Sequence, residues 1–188
     1  MNRNHDVCGS EDWRVLVREV IIPWALGDGD LGDDVLEVGP GFGATTDVFR
    51  ERVARLTAVE IDPELAARLR DRLAGTNVEV VDGDATALDF GDDRFSGATC
   101  FAMLHHVSSP ELQDRLFAEV ARVVRTGGVF VACDSLASEE LAELHEGDTY
   151  VPVDPDGLAA RLERAGFEQV EVRTNELGWA ARARARGG

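Results

Sequence analysis

Short apolar runs rich in β-branched residues alternate along the chain with stretches whose apolar residues return every three or four positions. Runs of the first kind predict strands, and stretches of the second predict helices. Val35-Leu36-Glu37-Val38 is a first buried strand, and a helix begins near Thr45. Arg55 to Ile61 is a second strand. Asp62-Pro63-Glu64 follows with an N-cap, a proline at the first helical position and an acid in the first turn. Leu65, Leu69 and Leu73 share one face of that helix, and Gly75 ends it. Val78 to Val81 is a third strand leading to Asp82-Gly83-Asp84-Ala85, and Phe95 to Met103 is a fourth.

Ser109-Pro110-Glu111 repeats the cap-and-proline pattern, ahead of a helix that buries Leu112, Leu116, Val120 and Val123-Val124. Thr126-Gly127-Gly128 turns into a fifth strand, Val129 to Cys133. Asp154-Pro155 opens another helix, closed at Ala165-Gly166, and Phe167 to Arg173 and Trp179 to Arg186 form a terminal strand pair. The alternation predicts an α/β sheet with helices on its faces. Residues 1–34 are an N-terminal helical segment, with an amphipathic helix around Glu11 to Trp24, and residues 35–188 the remainder of a single domain. Ser135 to Val153 is the one long irregular stretch.

Charge narrows the function. The 188 residues include 36 acids against 19 basic residues, a net charge of −17, and every basic residue is arginine. A surface this acidic repels polyphosphate at long range, so a nucleic-acid partner is not expected. Arg182, Arg184 and Arg186 alternate with alanine and so mark one face of the last strand. No apolar run approaches the roughly 20 residues that span a bilayer. Met1 to Trp13 is polar, without the apolar centre of a signal peptide. Cys8, Cys100 and Cys133 lack zinc-ligand spacing and read as reduced thiols of a cytoplasmic protein.

The chemistry concentrates at Glu37-Val38-Gly39-Pro40-Gly41-Phe42-Gly43, a glycine-rich turn between a strand and its helix. Without a Cβ, backbone there can approach a ligand closely. Gly39-x-Gly41-x-x-Ala44 also satisfies the dinucleotide fingerprint, and Glu60, about 20 positions on, suits the ribose of either cofactor. Glu37 separates the two. A carboxylate beside the turn repels a pyrophosphate but attracts the ammonium and sulfonium of S-adenosylmethionine (SAM).

From about Asp33 to Gly166 the chain resembles the class I SAM-dependent methyltransferases, in their small-molecule, type 11-like branch. Four segments match in order: the glycine turn, Val59-Glu60-Ile61-Asp62, Asp82-Gly83-Asp84-Ala85, and Leu104-His105-His106-Val107 with Arg122 to Gly128. The resemblance implies a Rossmann-like, seven-stranded, mostly parallel sheet of order 3-2-1-4-5-7-6 with an antiparallel last strand. It implies that Gly39 and Gly41 face the methionine part of SAM with Glu37 near its amino group. Glu60 would accept from the ribose, Ile61 pack on the adenine, and Asp84 and Ala85 meet its amine edge. Phe101 and Leu104 would border the path to the methyl.

The acceptor carries no sequence mark beyond the expectation of a small molecule. His105 and His145 are the candidate general bases, with a structural role for His106. Trp13 and Trp24 are candidate parts of a lid over the site. Asp134 alone does not make a metal site, so none is expected, and the chain is expected to act as a monomer or homodimer. An RNA adenine dimethyltransferase shares the opening motif, but its Asn-Leu/Ile-Pro-Tyr/Phe tetrad is replaced here by Phe101-Ala102-Met103-Leu104. A nicotinamide oxidoreductase is opposed by Glu37. A SAM-binding module without catalysis would keep the same motifs.

Overall fold

The computed structural model describes residues 8–187. Its seven strands are β1 (Asp34–Val38), β2 (Arg55–Glu60), β3 (Val78–Asp82), β4 (Phe95–Phe101), β5 (Val124–Asp134), β6 (Phe167–Asn175) and β7 (Gly178–Ala185). They lie in the order β3-β2-β1-β4-β5-β7-β6. The first five are mutually parallel, and β7 runs antiparallel to both β5 and β6. β1 therefore has β2 on one side and β4 on the other, and the winding reverses between them. Ligands of open α/β sheets bind at the carboxyl ends of strands flanking such a reversal.

Strict alternation gives the sheet two cores. Beyond α1 (Glu11–Leu16), Val129, Val131 and Cys133 of β5 pack with Val17, Ile22 of α2 (Ile22–Leu26) and Phe49 of α3 (Ala44–Phe49). Phe130 and Ala132 face the other way, toward α5 (Pro110–Val123) and α7 (Pro155–Ala165), through Phe117, Val120, Leu158 and Leu162. Between them in sequence, α4 (Pro63–Arg72) covers the β2–β3 edge with Ala66 and Leu69. Asp62, Ser109 and Asp154 each cap a helix through a side-chain oxygen, with proline behind each.

Three details differ from the pattern in the sequence. Val124 belongs to β5 rather than to the preceding helix, and Thr126-Gly127-Gly128 lies within that strand, opposite a register shift between Phe95 and Gly97. The stretch from Ser135 to Val153 contains a short helix, α6 (Glu139–Leu144), capped by Ser138. The N-terminal helix is interrupted by a π-helical turn at Val17–Ile21. Pro23 explains the interruption: it lacks an N–H and its ring clashes with the carbonyl four residues back, and a widened turn relieves both. On β7, Ala181, Ala183 and Ala185 are buried while Arg182 pairs with Glu171 at 2.9 Å, so the arginine row is a strand face. Among the described residues no helix is long and apolar enough to cross a membrane.

Candidate functional site

A cavity of about 540 Å³ opens at the carboxyl ends of β1, β2 and β4, where the winding reverses. Its floor is the loop after β1, whose Gly39 and Gly41 both have positive φ, 64° and 54°. A Cβ on Gly39 would meet Met103 at 2.7 Å, whereas one on Gly41 would meet nothing within 4 Å. Glu60, at the end of β2 and 5% exposed, ties this loop to its own: its carboxylate accepts the Gly41 amide at 2.9 Å and the Asp62 amide at 3.0 Å. Gly83 donates to the Glu60 carbonyl at 3.0 Å, which brings the turn after β3 alongside.

Beneath the loop lies Glu37, 2% exposed and bonded by the Thr45 hydroxyl, with Oε2 buried and without a hydrogen-bond partner. Glu37 is thus no solvated strand end. Burial, opposed by the hydrogen bond from Thr45 and reinforced by Asp47 and Glu60, pushes its carboxyl up to about 7. An ionised carboxylate there needs a cation or donors that the protein alone does not provide.

Four places supply much of the rest of the wall, and the end of β5 and the stretch after it add Asp134 and Asp148. Ile61 is 64% exposed and lines the cavity, beside Gly83, Asp84 and Ala85. The Asp84 carboxylate accepts the Thr86 amide at 2.8 Å through Oδ1, leaving Oδ2 for another donor. From the end of β4 come Phe101, Ala102 and Met103. Ala102 has φ 50°, a strained value for a residue with a side chain, and its amide is fixed to the Cys133 carbonyl at 2.8 Å. The N-terminal helical segment supplies Trp13, Leu16, Val17 and Ile21. Among the described residues the cavity is lined by carboxylates (Glu60, Asp62, Asp84, Asp134, Asp148) and by no arginine.

At one end of the cavity three imidazoles crowd together. Ring centroids of His105 and His106 lie 4.2 Å apart, and His145 is 4.9 Å from the first and 5.1 Å from the second. The buried carboxylate of Asp134 accepts from His105 twice, at 2.7 Å from Nδ1 and at 3.1 Å from the amide. Three further bonds stitch the β4 loop to the stretch after β5. Val151 donates to the His105 carbonyl at 2.7 Å, and the Gln113 amide bridges the Leu104 and Val151 carbonyls.

The sequence profile of the methyltransferase domain family matches residues 36–132, just over half of the chain. The chain belongs to that family. Among solved structures, a protein from Pyrococcus horikoshii, PH0226, superposes with a TM-score of 0.82 over 99% of this chain and 100% of its own, at 17% identity. Family and fold together are those of the class I SAM-dependent methyltransferases.

Curated relatives match this chain over part of its length. The ribosomal RNA small subunit methyltransferase A of Cupriavidus pinatubonensis is 53% identical over 62 residues, 32% of this chain and 22% of the relative. A phosphatidylethanolamine N-methyltransferase of Cereibacter sphaeroides is 34% identical over 113 residues, 58% of this chain and 54% of the relative. The chain thus spans between about a fifth and about a half of the length of these relatives.

Several expected site residues sit elsewhere in the fold. Leu104 is fully buried in the core, because the 3₁₀ turn at Leu104–His106 rolls it inward, and Met103 takes its place on the wall. Neither Glu37, buried behind the loop, nor His105 nor His145 lines the cavity, whereas His106 does. Trp13 lines it, but Trp24 packs instead against the Arg173 guanidinium, 5.7 Å from its ring. Where no metal ligands were expected, the described residues bring together three histidines. Thr45 escapes sequence reasoning altogether, since only the fold shows that a residue at the start of α3 reaches back to β1. His5 lies outside the described residues.

Proposed function

We propose that this chain binds SAM in the 540 Å³ cavity and transfers its methyl group to a small-molecule acceptor. The observation that carries this reading is the cavity's charge, five carboxylates and no arginine among the described lining residues. A dinucleotide brings a pyrophosphate that such a wall repels, whereas SAM brings an ammonium and a sulfonium that it attracts. The residues fit in detail. Glu60 has lone pairs remaining for two ribose hydroxyls, Ile61 offers an exposed apolar face to the adenine, and Asp84 Oδ2 with the Ala85 amide suits its amine edge. The unpartnered Oε2 of Glu37 is the buried acceptor that the amino group would satisfy, directly or through water.

Bound SAM supplies an electrophilic methyl on a sulfonium. The chain's own work is alignment, which can contribute on the order of 7–11 kcal/mol. Gly39 and Gly41 let the loop close on the methionine part. Phe101 and Met103 bound the methyl's path, and the N-terminal helical segment closes the cavity on one side as its lid. At the far end Asp134 and Asp148 favour a neutral or cationic acceptor over a phosphorylated one. The same argument, with the net charge of −17, opposes an RNA acceptor despite the ribosomal RNA relative.

Calorimetric titration with SAM, followed by S-adenosylhomocysteine release from a mixed metabolite extract and from a ribosomal RNA transcript, tests each part. Failure of SAM to bind at micromolar concentration defeats the cofactor assignment. Turnover with the transcript and none with the extract defeats the acceptor assignment.

A further inference from the structure

We propose that His105, His106 and His145 form a binding site for one divalent transition-metal ion, zinc by ligand chemistry. One ring nitrogen from each lies within 4.8 Å of those of the other two. A tetrahedral zinc with bonds of about 2.0–2.1 Å places its nitrogens about 3.4 Å apart, so the nitrogens must close in by up to about 1.4 Å. Their orientation is what separates this cluster from a chance stack. His105 gives Nδ1–H to Asp134 at 2.7 Å, and His145 gives Nδ1–H to the Leu141 carbonyl at 2.6 Å. A carboxylate and a backbone carbonyl are the partners that metal-ligating histidines use to fix their tautomer, and they assign the ligating role to Nε2 in both. Tyr150 stacks on His145 at 4.7 Å and holds that ring's plane.

The chain carries these ligands on two segments, the loop after β4 and the end of α6. An ion would therefore pin the stretch after β5 against the loop that bears Met103 and His106 on the cavity wall. Three protein ligands is also the number at which zinc keeps an exchangeable fourth position. Imidazole nitrogen suits zinc, copper, iron and nickel rather than magnesium or calcium. The site stands on these side chains alone and does not depend on the SAM assignment.

The test uses the full chain without an affinity tag, stripped with a chelator, checked for folding by circular dichroism, then titrated with zinc chloride and separately with cobalt chloride. The expected result is one ion per chain, bound tighter than about 1 µM, with the visible absorption of tetrahedral cobalt and a raised melting temperature. His106→Ala and His145→Ala should each weaken binding by at least about 100-fold, and Asp134→Asn by about tenfold. Folded wild-type protein that takes up no stoichiometric zinc overturns the proposal, as does undiminished binding in the His106→Ala/His145→Ala double variant. Parallel titration with SAM keeps the two questions apart, since each ligand can bind while the other fails.

Discussion

One carboxylate clamps two loops: Glu60 accepts the Gly41 amide at 2.9 Å and the Asp62 amide at 3.0 Å, joining the turns after β1 and β2 at the cavity floor. The same oxygens are those proposed to receive the ribose hydroxyls. Glu60→Ala should therefore weaken SAM by about 100-fold, the loss expected of one or two hydrogen bonds to a charged acceptor, and lower the melting temperature as well. Glu60→Gln keeps one acceptor oxygen and should retain more stability than affinity. Calorimetry and thermal melting read the two effects, and unchanged affinity in Glu60→Ala would sink the assignment.

Glu37 makes a pH prediction with opposite signs for the empty and the liganded protein. Its carboxyl is pushed from 4.5 up to about 7 by burial. A raised folded-state value gives stability that is complete below the unfolded value and is lost as pH rises through the folded one. The empty protein should lose up to about 3 kcal/mol between those limits. A cationic amino group favours the ionised form, so SAM affinity should climb with pH over the same interval and flatten above about 7. Glu37→Gln should remove both slopes. Melting curves and titrations in buffers of different ionisation enthalpy, which detect proton release, check it.

The fold was legible because each element announces its own ends. Asp62-Pro63, Ser109-Pro110 and Asp154-Pro155 mark helix starts by local chemistry, and the sheet order follows from a family whose four motifs occur in register. That the glycine loop, Glu60 and Ile61 meet at one cavity was legible for the same reason, being fixed by strand ends. The histidine end was not. Whether His105 or His106 faces the cavity depends on how a single 3₁₀ turn rotates, and neither residue type nor spacing encodes that. His145 reaches the other two only because α6 forms in a stretch with little periodicity. The π-turn at Val17–Ile21 had a signal in Pro23, but its effect on which residues line the cavity is tertiary.

Gly39 and Gly41 should respond differently to alanine. Both lie at positive φ, which costs a residue with a side chain about 1–2 kcal/mol. At Gly41 the new methyl enters open space in the cavity, so Gly41→Ala should stay folded and lose SAM affinity. At Gly39 it meets Met103 at 2.7 Å, so Gly39→Ala should lose more stability and displace that wall residue. A Gly41→Ala protein with full affinity would show that the loop does not approach the ligand.

Away from the cavity, Asp34 is buried at the opposite edge of the sheet between Arg55, at 2.7 Å, and Arg94. Burial alone would raise its carboxyl, but the bonds from Arg55 and Arg94 prevail and hold it below the usual value. Its stabilising effect is therefore present above the unfolded value and fades as pH falls through the folded one. Asp34→Asn should cost about 1–2 kcal/mol, because both arginines can return to water. Removing both arginines should cost more, since it leaves a buried carboxylate unpaired. Acid and urea melts of the two variants compare them, and equal losses would contradict the asymmetry.

Trp13 tests the N-terminal segment as a wall of the site. Of Trp13, Trp24 and Trp179, only Trp13 lines the cavity; Trp179 is fully buried and Trp24 packs under Arg173. SAM should therefore change the intrinsic fluorescence through Trp13, and the change should vanish in Trp13→Phe and persist in Trp24→Phe. Trp13→Ala should weaken SAM by about tenfold, as expected if about 60 Å² of apolar contact is lost at 25 cal/mol per Å². Trp24→Ala should lower the melting temperature and leave affinity intact. If both variants bind SAM as the wild type does, and the fluorescence response survives in Trp13→Phe, the helix is packing for the sheet and not a cover for the ligand.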